Sequence, residues 1–419
     1  MCPKTIWQTS AGLILCVAVP TLAGEPRGAP APVQSMATET FFERIGINVQ
    51  LGLPRSSYAR YADVVKPRLH ELGLRYLRDA VSADRSDQLA KLKDLAAAGY
   101  RFGLVMKPIE AVDLCKTLSD SVVFAEPPDE PDRGGESWPD VARANQKALF
   151  QALKANPATK RVQVMAPGLR DPIASHVKLG NLVDFCEFGT IRVFPRGLPN
   201  AGSSGLTLGK QNQEVQRTSG NKGVIISEAG YHNCLEAVDP PGVPESVAAK
   251  YLPRMLLTQF SLSYFTFLFE LLDSEADPKM TSAEKHFGLL HADGSPKPAF
   301  IAMKKLVEFM HDPGPTFLPE TLAYKVEVPP KDLSQLLLEK RDGTFYLCLW
   351  QEALSYDPKQ RREIAVAPHD VTIVVGPALA SASYFYPLRE GDRPRPIADL
   401  QKIRVPVTDE IVVVALKKK

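Results

Sequence analysis

Between residues 40 and 315 short β-type runs alternate with stretches of helical periodicity, and this alternation constrains the fold more than any other feature of the chain. The runs are Arg44 to Val49, Leu74 to Arg78, Arg101 to Met106, Ser121 to Ala125, Arg161 to Met165, Gly189 to Phe194, Gly223 to Ser227 and Tyr264 to Glu270. Helical periodicity is clearest over Tyr58 to Leu72, Asp84 to Ala98, Asp140 to Ala155, Pro244 to Leu262 and Pro298 to Met310. Such alternation specifies parallel strands with crossover helices. Eight repeats predict an α/β chain folded as a closed (β/α)8 TIM barrel over residues 40–317. Asp84 and Gly99 read as caps of one helix, Pro298 opens the last, and Pro67 is expected to kink the first.

After about Phe317 the pattern changes. Leu336 to Leu338 and Phe345 to Trp350 flank Lys340-Arg341-Asp342-Gly343, a hairpin with an Asp-Gly turn. Val371 to Val375, Ser383 to Tyr386, Ile403 to Val407 and Ile411 to Leu416 continue as strands with no helix between them. A C-terminal β-sandwich over residues 318–419 is therefore expected. With 419 residues, a barrel plus a smaller domain also suits the usual size of one core.

At the other end, Lys4 precedes an apolar stretch from Ala11 to Val19, and Thr21-Leu22-Ala23 offers small residues for a signal peptidase. This predicts export, periplasmic or extracellular, after cleavage near Ala23, and a flexible lead-in over residues 24–39 rich in Pro, Ala and Gly. The stretch is too short to span a membrane. Net charge is +2, or +1 once Lys4 is removed, which gives no electrostatic case for nucleic acid or a membrane surface. Cys115, Cys186, Cys234 and Cys348 remain, widely spaced and without metal-ligand spacing, and are expected as buried thiols. No metal or cofactor is expected, and the oligomeric state is open.

Two glutamates stand at strand ends. Glu130 lies in Glu126-Pro127-Pro128-Asp129-Glu130-Pro131-Asp132 after the fourth run, and Glu228 in Ser227-Glu228-Ala229-Gly230-Tyr231 after the seventh. In one parallel barrel both would converge at the C-terminal mouth. Paired carboxylates in one cleft are what glycoside hydrolysis needs. There is no Gly-x-Ser-x-Gly elbow to suggest a serine nucleophile.

These segments resemble the clan A glycoside hydrolases, in particular the family 39-like exported bacterial glycosidases, over roughly residues 40–416. The resemblance implies that Glu130 is the acid/base, that Glu228 is the nucleophile of a retaining double displacement, and that Arg78 supports the nucleophile. Phe269 to Asp277 and Phe287 to Phe300 resemble the strand-eight region and last barrel helix of the group. Four positions depart from the family pattern: Asp129 stands for Asn, Arg192 and Phe194 for His and Tyr, and Gln50 in Gly46-Ile47-Asn48-Val49-Gln50 for His.

The substrate-binding set read from the sequence is Arg78, Asp129, Arg192, Phe194, Tyr231, His232, Glu270, Asn48 and Gln50, with Trp138 and Phe269 as further stacking candidates. Glu126 and Asp132 are expected to shape the acid/base loop. Asp129 and Arg192 are expected to pair across the cleft. The predicted activity is cleavage of a poly- or oligosaccharide. The alternative motivated by the departures is a carbohydrate-binding barrel of the extracellular matrix or cell envelope that has lost most activity.

Overall fold

The computed structural model describes residues 29–199, 206–237 and 240–419. The expected signal segment lies outside the described residues. Two short strands come first, β1 (Ala31–Gln34) and β2 (Met36–Ala37). Eight parallel strands follow: β3 (Ile45–Asn48), β4 (Tyr76–Ala80), β5 (Arg101–Val105), β6 (Val122–Glu126), β7 (Gln163–Val164), β8 (Gly189–Val193), β9 (Val224–Ala229) and β10 (Phe265–Leu268). Their order is β7-β6-β5-β4-β3-β10-β9-β8. The two ends of this sheet meet through a parallel bridge between Met165 and Phe188, supported by Ala166 N donating to Phe188 O at 2.9 Å. The eight-stranded barrel expected from the alternation is thus formed.

A helix follows each strand: α1 (Lys66–Leu72), α2 (Ser86–Ala97), α3 (Ala111–Leu118), α4 (Trp138–Ala155), α5 (Ala174–Leu179), α6 (Leu208–Ser219), α7 (Glu245–Ser261) and α8 (Pro298–Met310). Two local expectations need correction. Pro67 does not kink a helix interior, because it sits at the second residue of α1 behind a π-type turn over Tyr61–Val65. Asp84 does not cap α2, whose N-cap is Arg85 and carries no side-chain cap bond. Gly99 does follow that helix with φ +92°, where an L side chain would be strained.

Side chains alternate along a strand, so lumen residues recur every second position. Phe124, Phe265 and Phe267 pack with Met165 and Ile225 in the lower lumen, Phe265 and Phe267 with ring centroids 4.8 Å apart. The glycine at position 46 makes room for them: a Cβ there would stand 2.6 Å from the Phe267 ring. This apolar plug closes the barrel from below. Two residues further on, the same alternation brings Asn48, Arg78 and Glu126 into the upper lumen, above the plug.

The C-terminal domain packs two sheets face to face. Its strands are β11 (Thr321–Glu327), β12 (Leu333–Glu339), β13 (Thr344–Gln351), a small ribbon of β14 (Tyr356–Asp357) and β15 (Arg362–Glu363), β16 (His369–Val375), β17 (Leu379–Phe385), β18 (Arg395–Pro396), β19 (Lys402–Val407) and β20 (Val412–Lys418). The sheet orders are β1-β11-β16-β19 and β18-β17-β20-β13-β12-β2. Leu322, Phe345, Leu347, Ile373, Val405 and Val414 fill the space between them. The reading of residues 24–39 as a flexible lead-in is therefore corrected for its second half: β1 pairs with β11, and β2 with β12. Pairing with strands some 290 residues away left no local signal.

The sandwich is seated on α7. Arg254, fully buried, donates to Gln351 O at 2.7 Å and Asp409 O at 3.2 Å, and Lys250 pairs with Asp409 at 2.9 Å. All four described cysteines are buried free thiols, none in a disulfide among the described residues. Among the described residues no helix is long and apolar enough to cross a membrane.

Candidate active site

A cleft of about 890 Å³ opens at the C-terminal ends of the barrel strands. Its floor is polar. Arg78, from β4, donates through Nε to Glu126 Oε2 at 2.9 Å and through Nη1 to both Asn48 Oδ1 and Glu228 Oε1 at 2.9 Å. Its Nη2 lies 3.3 Å from Asp129 Oδ2. Asn48 is fixed in turn by its own amide, which donates to Ser227 O and Leu268 O at 3.0 Å. One guanidinium thus serves three carboxylates and cannot neutralise them all. Burial pushes Glu126 up to about 7 against the pull of Arg78, while Arg78 itself is raised, since Glu126 and Asp129 outweigh the cost of its burial.

Glu228 reaches this floor through an irregularity in β9. Ile225 pairs with Thr190 and Ile226 with Ile191, but the next pair is Arg192 with Glu228, so Ser227 is an extra residue. Strict alternation from Ile225 would turn Glu228 outward. The bulge turns it into the lumen beside Arg192.

Glu130 stands on the loop after β6, in the left-handed region at φ +47°. Its N–H donates to Gly168 O at 3.0 Å, which ties that loop to the one after β7. Gly168 N donates to Glu126 Oε1 at 2.9 Å, and a Cβ at residue 168 would meet Asp129 Oδ1 at 2.4 Å. Asp132 secures the same junction, accepting from Arg170 N, Asp171 N and Ser175 Oγ. Glu126 and Asp132 are therefore loop-shaping groups, as expected.

Arg192 is where the geometry departs most from expectation. Its Nη1 contacts Glu130 Oε1 and its Nη2 contacts Glu228 Oε2, so one guanidinium bridges the two glutamates. The expected Asp129–Arg192 pair is not made. Asp129 faces inward to Arg78 instead, because its loop folds down over Gly168. Arg133, which the sequence reading missed, contacts the other oxygen of Glu130. Its signal was available, since residues three apart in a tight turn face each other.

The remaining candidates divide. Gln50 and Phe194 line the cleft, and Phe194 joins Phe269 and Phe287 in an aromatic wall with centroids 5.2–6.0 Å apart. Tyr231, His232 and Glu270 do not line it. Tyr231 is buried against Tyr251 with its hydroxyl on Leu198 O. His232 is buried against Phe287, donates from Nε2 to Pro240 O at 3.1 Å, and burial lowers it to about 4. Glu270 is fully buried beneath Gln50 and Tyr58, which donate to Oε2 at 2.6 and 2.8 Å; burial pushes it up to about 8 against those two bonds. Trp138 also packs away from the cleft, with Leu169, Leu179 and Leu182.

A (β/α)8 barrel with paired carboxylates at its C-terminal mouth and a β-sandwich behind it is an architecture shared with glycoside hydrolases. The chain is similar to a family 39 glycoside hydrolase from the gut symbiont Bacteroides cellulosilyticus, with a TM-score of 0.59 and 12% identity over 92% of this chain and 82% of that one. It is also similar to a glucosidase from Croceicoccus marinus, with a TM-score of 0.55 and 10% identity over 94% and 97%. At these identities the likeness is one of fold. No family model and no curated protein sequence matches the chain.

Proposed function

We propose that the protein is an exported retaining glycoside hydrolase acting on a poly- or oligosaccharide, with Glu130 as acid/base and Glu228 as nucleophile. The observation that carries this reading is the shared contact of Glu130 and Glu228 with the single guanidinium of Arg192. Carboxylates one guanidinium apart suit the separation of about 5–5.5 Å used for retention better than the wider gap that holds a water. Glu130 protonates the glycosidic oxygen as Glu228 attacks the anomeric carbon. Water, deprotonated by Glu130, then releases the sugar from the covalent intermediate. Asn48 and Arg78 fix the attacking carboxylate, and the Phe194, Phe269 and Phe287 wall offers flat faces for a sugar ring.

The test is release of reducing ends from a panel of polysaccharides, paired with variants. Glu130→Ala should lower the rate by about 10²–10⁴-fold, and Glu228→Gln should abolish covalent labelling by a 2-fluoro glycoside of the active sugar. Labelling at another residue would remove Glu228 from its role.

A second reading, a carbohydrate-binding barrel without turnover, is favoured by one observation: both oxygens of Glu130 and both of Glu228 are engaged by arginines. Binding of polysaccharide with no reducing ends after long incubation would select it.

A further inference from the structure

Six arginines line the cleft: Arg78, Arg85, Arg133, Arg170, Arg192 and Arg196. Arg78 is committed at the floor. Four of the others form one wall, because Arg133 follows β6, Arg170 follows β7, and Arg192 and Arg196 end and follow β8, three strands that are neighbours around the barrel. Arg133, Arg170 and Arg196 are exposed at the mouth, and the Arg170 side chain makes no ion pair among the described residues. Arg192 is mostly buried, with Nε left unpartnered. A neutral sugar has no charge to offer such a wall.

Turnover requires Arg192 to leave. It occupies Glu130 Oε1 and Glu228 Oε2, the space where a glycosidic bond would have to lie. A neutral substrate entering there would strand a guanidinium in a partly desolvated cleft, which is costly. An anionic group on the substrate removes that cost by exchanging one carboxylate partner for another. The planar fork of arginine matches such a group in two places.

We propose, building on the hydrolase reading, that the cleft takes an acidic glycan whose anionic substituent draws Arg192 off the two glutamates, with Arg170 and Arg196 receiving further acidic units. The shared chemistry is a sugar-borne carboxylate or sulfate.

Affinity electrophoresis of the whole protein, through gels carrying polygalacturonate, alginate or hyaluronan, each native or carboxyl-reduced, reads binding without turnover. Dextran sulfate supplies the sulfate arm. The expected result is retardation by at least one native acidic polymer, with an apparent Kd at least roughly tenfold below that for its reduced form. Retardation should weaken in about 0.3 M NaCl and be lost in Arg170→Gln/Arg196→Gln. Retardation by dextran sulfate alone assigns the anion as sulfate and sustains the proposal. Equal retardation by native and reduced polymers, or retardation by none of the acidic polymers, overturns it. Release of reducing ends from a neutral polymer alone would also overturn it while leaving the hydrolase reading intact; binding of acidic polymers without any cleavage would do the reverse.

Discussion

Glu270 carries no role in the proposed chemistry, yet it governs how the protein should respond to pH. Its carboxyl is raised to about 8, and those of Asp79 and Glu126 to about 7, in each case first by burial. Between about 4.5 and 8 the folded state therefore binds more protons than the unfolded state, so stability falls as pH rises through this window. Thermal melting should accordingly be highest near pH 5 and decline towards pH 8, and Glu270→Gln should flatten the upper part of that decline. A melting temperature that climbs from pH 5 to 8 would contradict the assignment. Gly168 sets the other residue-scale expectation. Because an added Cβ would stand 2.4 Å from Asp129 Oδ1, Gly168→Ala should push the Glu130 loop outward. A displacement on the order of 1 Å can cost about 10²-fold in rate, and the loss should appear in kcat with little change in melting temperature.

Among the elements, the barrel strands were the easiest to read from sequence. Parallel strands covered on both sides appear as short apolar runs, so all eight, the two-residue β7 included, could be placed to within about two residues at each boundary. The site was only partly readable. Strand ends locate Glu130 and Glu228, but an extra residue such as Ser227 leaves no mark in Val224-Ile225-Ile226-Ser227-Glu228. Partner choice was harder still: Arg192 meets Glu130 and Glu228 rather than Asp129 because of how two loops fold over Gly168, a long-range fact. Tyr231, His232 and Glu270 follow the right strands but point behind the cleft wall. The same strands yield a packing test. In Gly46→Ala the new methyl would lie 2.6 Å from the Phe267 ring and 2.7 Å from Tyr76 O, so the change should cost about 1–3 kcal/mol in urea denaturation. Adding Phe267→Leu should recover part of that loss, whereas strict additivity would show that the ring is not the obstacle.

For the molecule as a whole, Arg254 ties the barrel to the sandwich, and the two are expected to unfold together. Replacing it with Met should leave the carbonyls of Gln351 and Asp409 without their donor and cost about 1–3 kcal/mol for each unmet group. The melting transition should then shift for barrel and sandwich probes together; two separated transitions would show that the two domains unfold independently. Each sheet of the sandwich also recruits a strand from the beginning of the chain, β1 in one and β2 in the other. Synthesis delivers those strands first, their partners β11 and β12 only after the whole barrel, and β20, which completes the second sheet, at the end. The sandwich is therefore completed only near the end of translation, and until then the α7 face of the barrel has nothing to cover it.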